Sequence, residues 1–162
     1  MKKLMLTITI LLLILSCGEK PKKEKFSYDR VKVEEVEKTD ENVLILNSND
    51  QMLFDKSILK ASSGEEVTLI LNHTGKIGKE FMGHNFVLLN LDVDVDDYAQ
   101  AAMLAKDQDY IPSIDGAIAY TKMLGGGESD KINFTVNTPG TYTFLCTFPG
   151  HYQIMQGQFI VE

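Results

Sequence analysis

The chain has 162 residues, 44% of them hydrophobic and 24% charged, which is the balance of one globular domain and excludes a wholly disordered chain. Its formal charge is −7, and between Asn42 and Glu162 acidic residues outnumber basic ones 15 to 7, which excludes nucleic acid as a partner and favours a basic or apolar docking surface.

In chain order, Lys2 and Lys3 precede an uninterrupted run of apolar residues and Thr, Leu4 to Leu15, whose 12 residues fall short of the ~20 that span a bilayer but suit the core of a secretory signal. The run closes on "ILSC", Ile14 to Cys17, which resembles the lipobox of bacterial lipoproteins, with Leu15 bulkier than that motif usually carries. Residues 1–17 are therefore expected to be a lipoprotein signal ending at a lipidated Cys17. That places the chain in the cell envelope on a membrane anchor, the outer membrane favoured, with its domain in the periplasm or at the cell surface. Residues 18–41 read as a charged tether: 15 of the 23 residues from Glu19 to Glu41 are charged, too polar to bury a core. Fully extended at ~3.3 Å per residue, the tether reaches roughly 75 Å. "VKVEEVEK", Val31 to Lys38, is compatible with either a short strand or a short helix.

The folded region is expected at 42–162, and most of it reads as β. "VLILNS" from Val43, "EVTLILNH" from Glu66, "HNFVLLNL" from His84, "DKINFTV" from Asp130, "TYTFLCTF" from Thr141 and "MQGQFIVE" from Met155 are short runs rich in β-branched and aromatic residues, separated by turn residues. Strands at that spacing predict a β-sandwich. One helix is predicted over Val95 to Lys106, Ala-rich with Asp94, Asp96 and Asp97 at its start.

The stretch "CTFPGHYQIM", Cys146 to Met155, concentrates soft donors. If Cys17 carries lipid, Cys146 is a lone thiol in an oxidising compartment, where a bound metal would protect it. A period of two sets Cys146 on one face with Tyr142 and Phe144, a pattern that by itself also describes a structural cysteine. Pro149 and Gly150 then break the strand and return His151 toward it, so that Cys146, His151 and Met155 can converge. A second imidazole has two candidates, His73 in "LNHTGK" and His84 in "FMGHNFVLL". His84 opens an apolar strand, follows the small Gly83, and lies 62 residues before Cys146, which suits a ligand from a neighbouring strand. Two imidazoles, a thiolate and a weak thioether form the trigonal set of a blue-copper electron-transfer site. Zinc prefers four strong tetrahedral donors, and a catalytic metal needs an open position.

"NDQMLFD" from Asn49, "FMGHNFVLL" from Phe81, "AIAYTKMLGGGESDKINF" from Ala117 and "FLCTFPGHYQIMQG" from Phe144 follow, in order, the pattern of the azurin family of blue-copper cupredoxins, which the chain resembles over most of 42–162. The spacing C-x4-H-x3-M is specific to that pattern. The resemblance implies an all-β, cupredoxin-like Greek-key β-sandwich with one short helical insertion and a single type 1 copper. It implies His84, Cys146 and His151 as equatorial ligands, Met155 as an axial ligand and the Gly83 carbonyl as a weak contact opposite. It also implies that Asn85 braces the ligand loop, that the Phe148 N–H bonds the sulfur, and that His73 is a buried histidine outside the ligand shell. The chain departs from the family in lacking its disulfide near the N-terminus, in carrying Phe86 at a core tryptophan position, and in its anchor and tether.

The expected function is one-electron transfer, with no enzymatic activity, between partners such as c-type cytochromes or a terminal reductase. The expected docking surface is an apolar patch of Met52, Ile77, Phe81, Met82, Phe148, Pro149 and Ile154. Copper storage is the alternative; a thiol enzyme using Cys146 with His151 as base is a third reading, which needs an accessible thiolate.

Overall fold

The computed structural model describes residues 42–162; the expected signal, Cys17 and the tether lie outside these residues. In chain order the strands are β1 (Val43–Asn49), β2 (Leu53–Phe54), β3 (Ile58–Ala61), β4 (Glu66–His73), β5 (Val87–Leu89), β6 (Ala117–Tyr120), β7 (Ser129–Thr135), β8 (Gly140–Leu145) and β9 (Gln156–Val161). They form two sheets, β2-β1-β4-β7 and β3-β9-β8-β5-β6. Two neighbouring pairs, β1 with β4 and β3 with β9, run parallel, and the remaining pairs run antiparallel.

Alternation along the strands builds the core between the sheets. β4 reads apolar at every second position, so Val67, Leu69 and Leu71 point inward and His73 ends the same inward row. Opposite them β8 turns Tyr142 and Phe144 inward, and Phe86 stacks on Phe144 with ring centroids 5.5 Å apart. Phe86 is fully buried, so the phenyl ring noted as a departure from the family pattern occupies the core. The Tyr142 hydroxyl donates to Thr138 O at 2.7 Å, pinning the turn that starts β8.

The other face of the five-stranded sheet is covered by the helical insertion. In α2 (Val95–Met103), Tyr98, Ala99 and Ala102 share a buried face, and the first two pack against Val87, Leu89 and Leu145. The predicted start is observed: Asp94 caps the helix by accepting from Asp97 N–H at 2.9 Å. The helix ends earlier than expected, and Lys106–Gln108 form a separate 3₁₀ turn.

Three strands have no counterpart among the sequence expectations: β2, β3 and β6. A one-turn helix, α1 (Lys79–Met82), was likewise not foreseen. The run beginning at His84 is shorter as a strand than expected. The Phe86 N–H bonds the Thr121 hydroxyl, and His84 makes only an isolated bridge to Leu124, so the regular ladder begins at Val87. This detour turns the His84 ring inward. Among the described residues no helix is long and apolar enough to cross a membrane.

Candidate metal centre

The ends of three segments meet at one pole of the sandwich. β8 stops at Leu145, and Cys146 follows it, fully buried, with its N–H donating to Met155 O at 2.9 Å across the neck of the loop. Inside the loop, His151 O accepts from the N–H groups of Ile154 and Met155 at 3.0 and 2.8 Å, and Gly150 takes a left-handed turn at φ 82°. This coil carries His151 and the fully buried Met155 back toward Cys146. The third segment is α1, which ends at Gly83 and delivers His84.

The donor atoms of His84, Cys146 and His151 all lie within 4.8 Å of one another. Cys146 Sγ is 3.9 Å from His84 Nδ1 and 3.7 Å from His151 Nδ1, and its thiol faces Gly83 O at 3.8 Å. A side chain at Gly83 would run into Lys79 O, the Phe148 ring and Met123 Sδ, all within 2.9 Å of an added Cβ. Only glycine lets this backbone approach the sulfur so closely.

Both imidazoles turn Nδ1 toward the sulfur. His84 Nε2 is 2.8 Å from Asn49 O, which can only accept, so Nε2 carries the proton and Nδ1 is free to donate electrons. Burial lowers the pKa of His84 and of His151 from 6.5 to about 4, so both rings are neutral at pH 7. Tyr98 Oη is the single buried side-chain polar atom without a partner among the described residues. His151 Nε2 has no hydrogen-bond partner among the described residues, and the residue is 4% exposed.

Burial pushes the Cys146 thiol up to about 11, against the pull of the Asn85 and Phe148 N–H groups on the sulfur. A thiol so deeply buried and so weakly acidic does not suit the thiol-enzyme reading. Asn85 and Thr147 interlock beside it. Asn85 Nδ2 donates to Thr147 Oγ1 at 2.7 Å, and Thr147 N–H donates to Asn85 Oδ1 at 2.8 Å, all buried. Asn85 is thus tied to the residue after Cys146, and neither Thr147 nor the Asn49 carbonyl was foreseen.

His73 stands outside the donor cluster. Gly75 N–H donates to its Nδ1 at 3.0 Å, which leaves Nε2–H to donate to Met82 O at 2.9 Å. Its ring stacks beside His84 at 4.4 Å, a supporting rather than a ligating position. The expected apolar patch is partly exposed: Phe81 by 79%, Ile154 by 53% and Ile77 by 40%, with Met52, Met82, Phe148 and Pro149 half-buried.

A β-sandwich that buries a Cys–His–His cluster at one pole, with both imidazoles neutral and a methionine beside them, defines a cupredoxin-type metal centre, and the donor set fits one type 1 copper. The chain belongs to the family described as copper binding proteins, plastocyanin/azurin family, whose match covers residues 40–162. It is 42% identical over 118 residues to the azurin of Achromobacter denitrificans, an alignment covering 69% of this chain and 78% of that protein. The solved azurin Az-iso2 of Methylomonas sp. strain J is 31% identical with a TM-score of 0.68, covering 74% of this chain and 97% of that one. Auracyanin A, a "blue" copper protein of Chloroflexus aurantiacus, is 28% identical with a TM-score of 0.67, covering 74% of this chain and 98% of that one. Relatives and site together support a blue-copper electron-transfer protein; azurin-family cupredoxins are electron carriers and generally not enzymes.

Proposed function

We propose that this chain is a non-enzymatic one-electron carrier of the cell envelope. His84 Nδ1, Cys146 Sγ and His151 Nδ1 would hold a single copper, with Met155 as a weak further donor and Gly83 O as a weak contact. Copper, when bound, supplies the Cu(II)/Cu(I) couple. The observation that carries the reading is the set of three buried donor atoms within 4.8 Å, each on a segment fixed by its own hydrogen bonds. The protein holds these donors in place rather than letting them relax to suit either oxidation state, which keeps the rearrangement accompanying each transfer small.

The route in and out runs through His151. Around it Phe81, Ile154 and Ile77 expose apolar surface, which suits brief encounters with redox proteins such as a c-type cytochrome or a terminal reductase. The sequence-based expectation of a lipidated Cys17 and a charged tether supports a carrier held within reach of a membrane, its domain in the periplasm or at the cell surface.

The test is to load the chain with copper and record its visible and EPR spectra. The parent should bind one copper and turn intensely blue, and Cys146→Ser should lose the colour. A Cys146→Ser protein that holds Cu(II) with an unchanged visible band overturns the assignment.

A further inference from the structure

Asp109 and Tyr110 are consecutive non-glycine residues in the left-handed region, at φ 50° and 61°. That region is uncommon for any side chain and an outlier for one as bulky as tyrosine. Such a conformation persists only where its surroundings over-determine it. Here the Tyr110 N–H donates to Ala105 O at 3.0 Å and the Ile111 N–H to Gln108 O at 3.0 Å, closing the segment on the 3₁₀ turn. Lys79 Nζ lies 3.9 Å from Asp109 Oδ1, which ties the same segment to α1, the turn that leads into Gly83 and His84.

This backbone aims the Tyr110 ring at the metal centre. It meets Phe148 edge-on, with centroids 5.4 Å apart and planes at 63°. Phe148 packs on His151 at 4.7 Å, and its ring covers Gly83. Three rings therefore stand in sequence, Tyr110, Phe148 and His151, and the last carries one of the clustered donor atoms. An edge-to-face contact fixes the plane of a ring, whereas an aliphatic neighbour would only fill space beside it.

We propose that Tyr110 is a positioning residue for the metal centre: it locks the Phe148 ring over Gly83 and His151, so the helical insertion sets the orientation of the His151 imidazole. The proposal rests on the copper reading above. Its role depends on the ring rather than the hydroxyl, and it acts through Phe148 without touching the donor atoms.

Tyr110→Ala, Tyr110→Leu and Tyr110→Phe are compared with the parent in the full chain. In the copper-loaded proteins, the rate of copper loss to a chelator, the EPR hyperfine splitting and the reduction potential are measured. In the metal-free proteins, NOEs between the Phe148 and His151 rings are measured. Tyr110→Ala should lose copper about tenfold faster, as expected when support behind a ligand is removed. It should also show a shifted potential and weakened ring NOEs, while Tyr110→Phe behaves as the parent. Tyr110→Leu keeps apolar volume, so it gives the answer if the alanine variant does not fold, and it should resemble alanine rather than phenylalanine. Parent-like copper loss, potential and NOEs in Tyr110→Leu overturn the proposal. A parent chain that takes up no copper tells against the copper reading instead, and the metal-free NOEs then decide the role of Tyr110 alone.

Discussion

Acid should destabilise the metal-free protein steeply, and the structure sets both the window and the size of the effect. His84 and His151 each titrate near 6.5 when unfolded and near about 4 when folded, because burial penalises the charged ring. Between those values the unfolded chain binds protons that the folded chain refuses, so stability rises with pH and falls as acid is added. The fall from 6.5 to about 4 is worth at most about 3 kcal/mol per ring at 1.36 kcal/mol per unit, and screening by nearby solvent reduces this to about 1–2 kcal/mol. The two sites are not independent, since a charge on His151 further lowers the pKa of His84, and additivity gives only the scale. Against a typical domain stability of about 5–15 kcal/mol, a loss of even one ring's contribution is large. Two carboxylates outside the core, Asp50 and Asp55, are held below 3.8, so their contributions are lost mainly below pH 4, under the histidine window. Urea unfolding of the metal-free chain at pH 7, 6, 5 and 4 should show the midpoint falling throughout, with an unchanged slope. A midpoint that stays constant from pH 7 to 4 would refute the reasoning that these rings are folded into the protein neutral.

Three further outcomes are expected. Copper(II) binding at pH 7 should release about one proton per metal, because the Cys146 thiol must ionise whereas both imidazoles are already neutral; calorimetry in buffers of different ionisation enthalpy counts it, and a release near two or three contradicts the protonation states. Met155→Leu should keep the blue colour and raise the reduction potential, since a weak donor that favours the oxidised ion is removed; voltammetry giving an equal or lower potential would make Met155 a packing residue only. A charge placed at Ile77 should slow electron self-exchange and transfer from a c-type cytochrome without altering the spectrum, whereas slowing on neutralisation of Asp94, Asp96 and Asp97 instead would move the entry point to the acidic face.

Much of this centre was legible because its donors sit on segments with strong local patterns. The alternation of "EVTLILNH" fixes which residues of β4 face inward, and the break at Pro149 and Gly150 announces a loop that returns His151 toward Cys146. What escaped detection has weak or no side-chain signal. β3 buries Leu59 among exposed neighbours, β2 is two residues long, and "AIAY" in β6 has no strong alternation. The partner of His84 is the backbone carbonyl of Asn49, 35 residues away, which no residue type at that position could advertise. Tyr110 was invisible for a related reason: its contact with Phe148 depends on a left-handed backbone pair that neither Asp nor Tyr would suggest.

The parallel pairing of β3 with β9 sets a timetable for folding. β9 lies between β3 and β8, in register from Ile58 opposite Gln158 to Ala61 opposite Val161, and even Glu162 bonds back to Ala61 and Ser63. The five-stranded sheet therefore cannot be completed until β9 is in place, and until then β3 and β8 lack the strand that joins them. The neck of the ligand loop, Cys146 N–H to Met155 O, belongs to the same late hairpin, so the metal centre is assembled in the step that closes the sandwich. Contacts of such long sequence separation fold slowly, and removing Gln156–Val161 would take away the strand on which both the sheet and the donor cluster close.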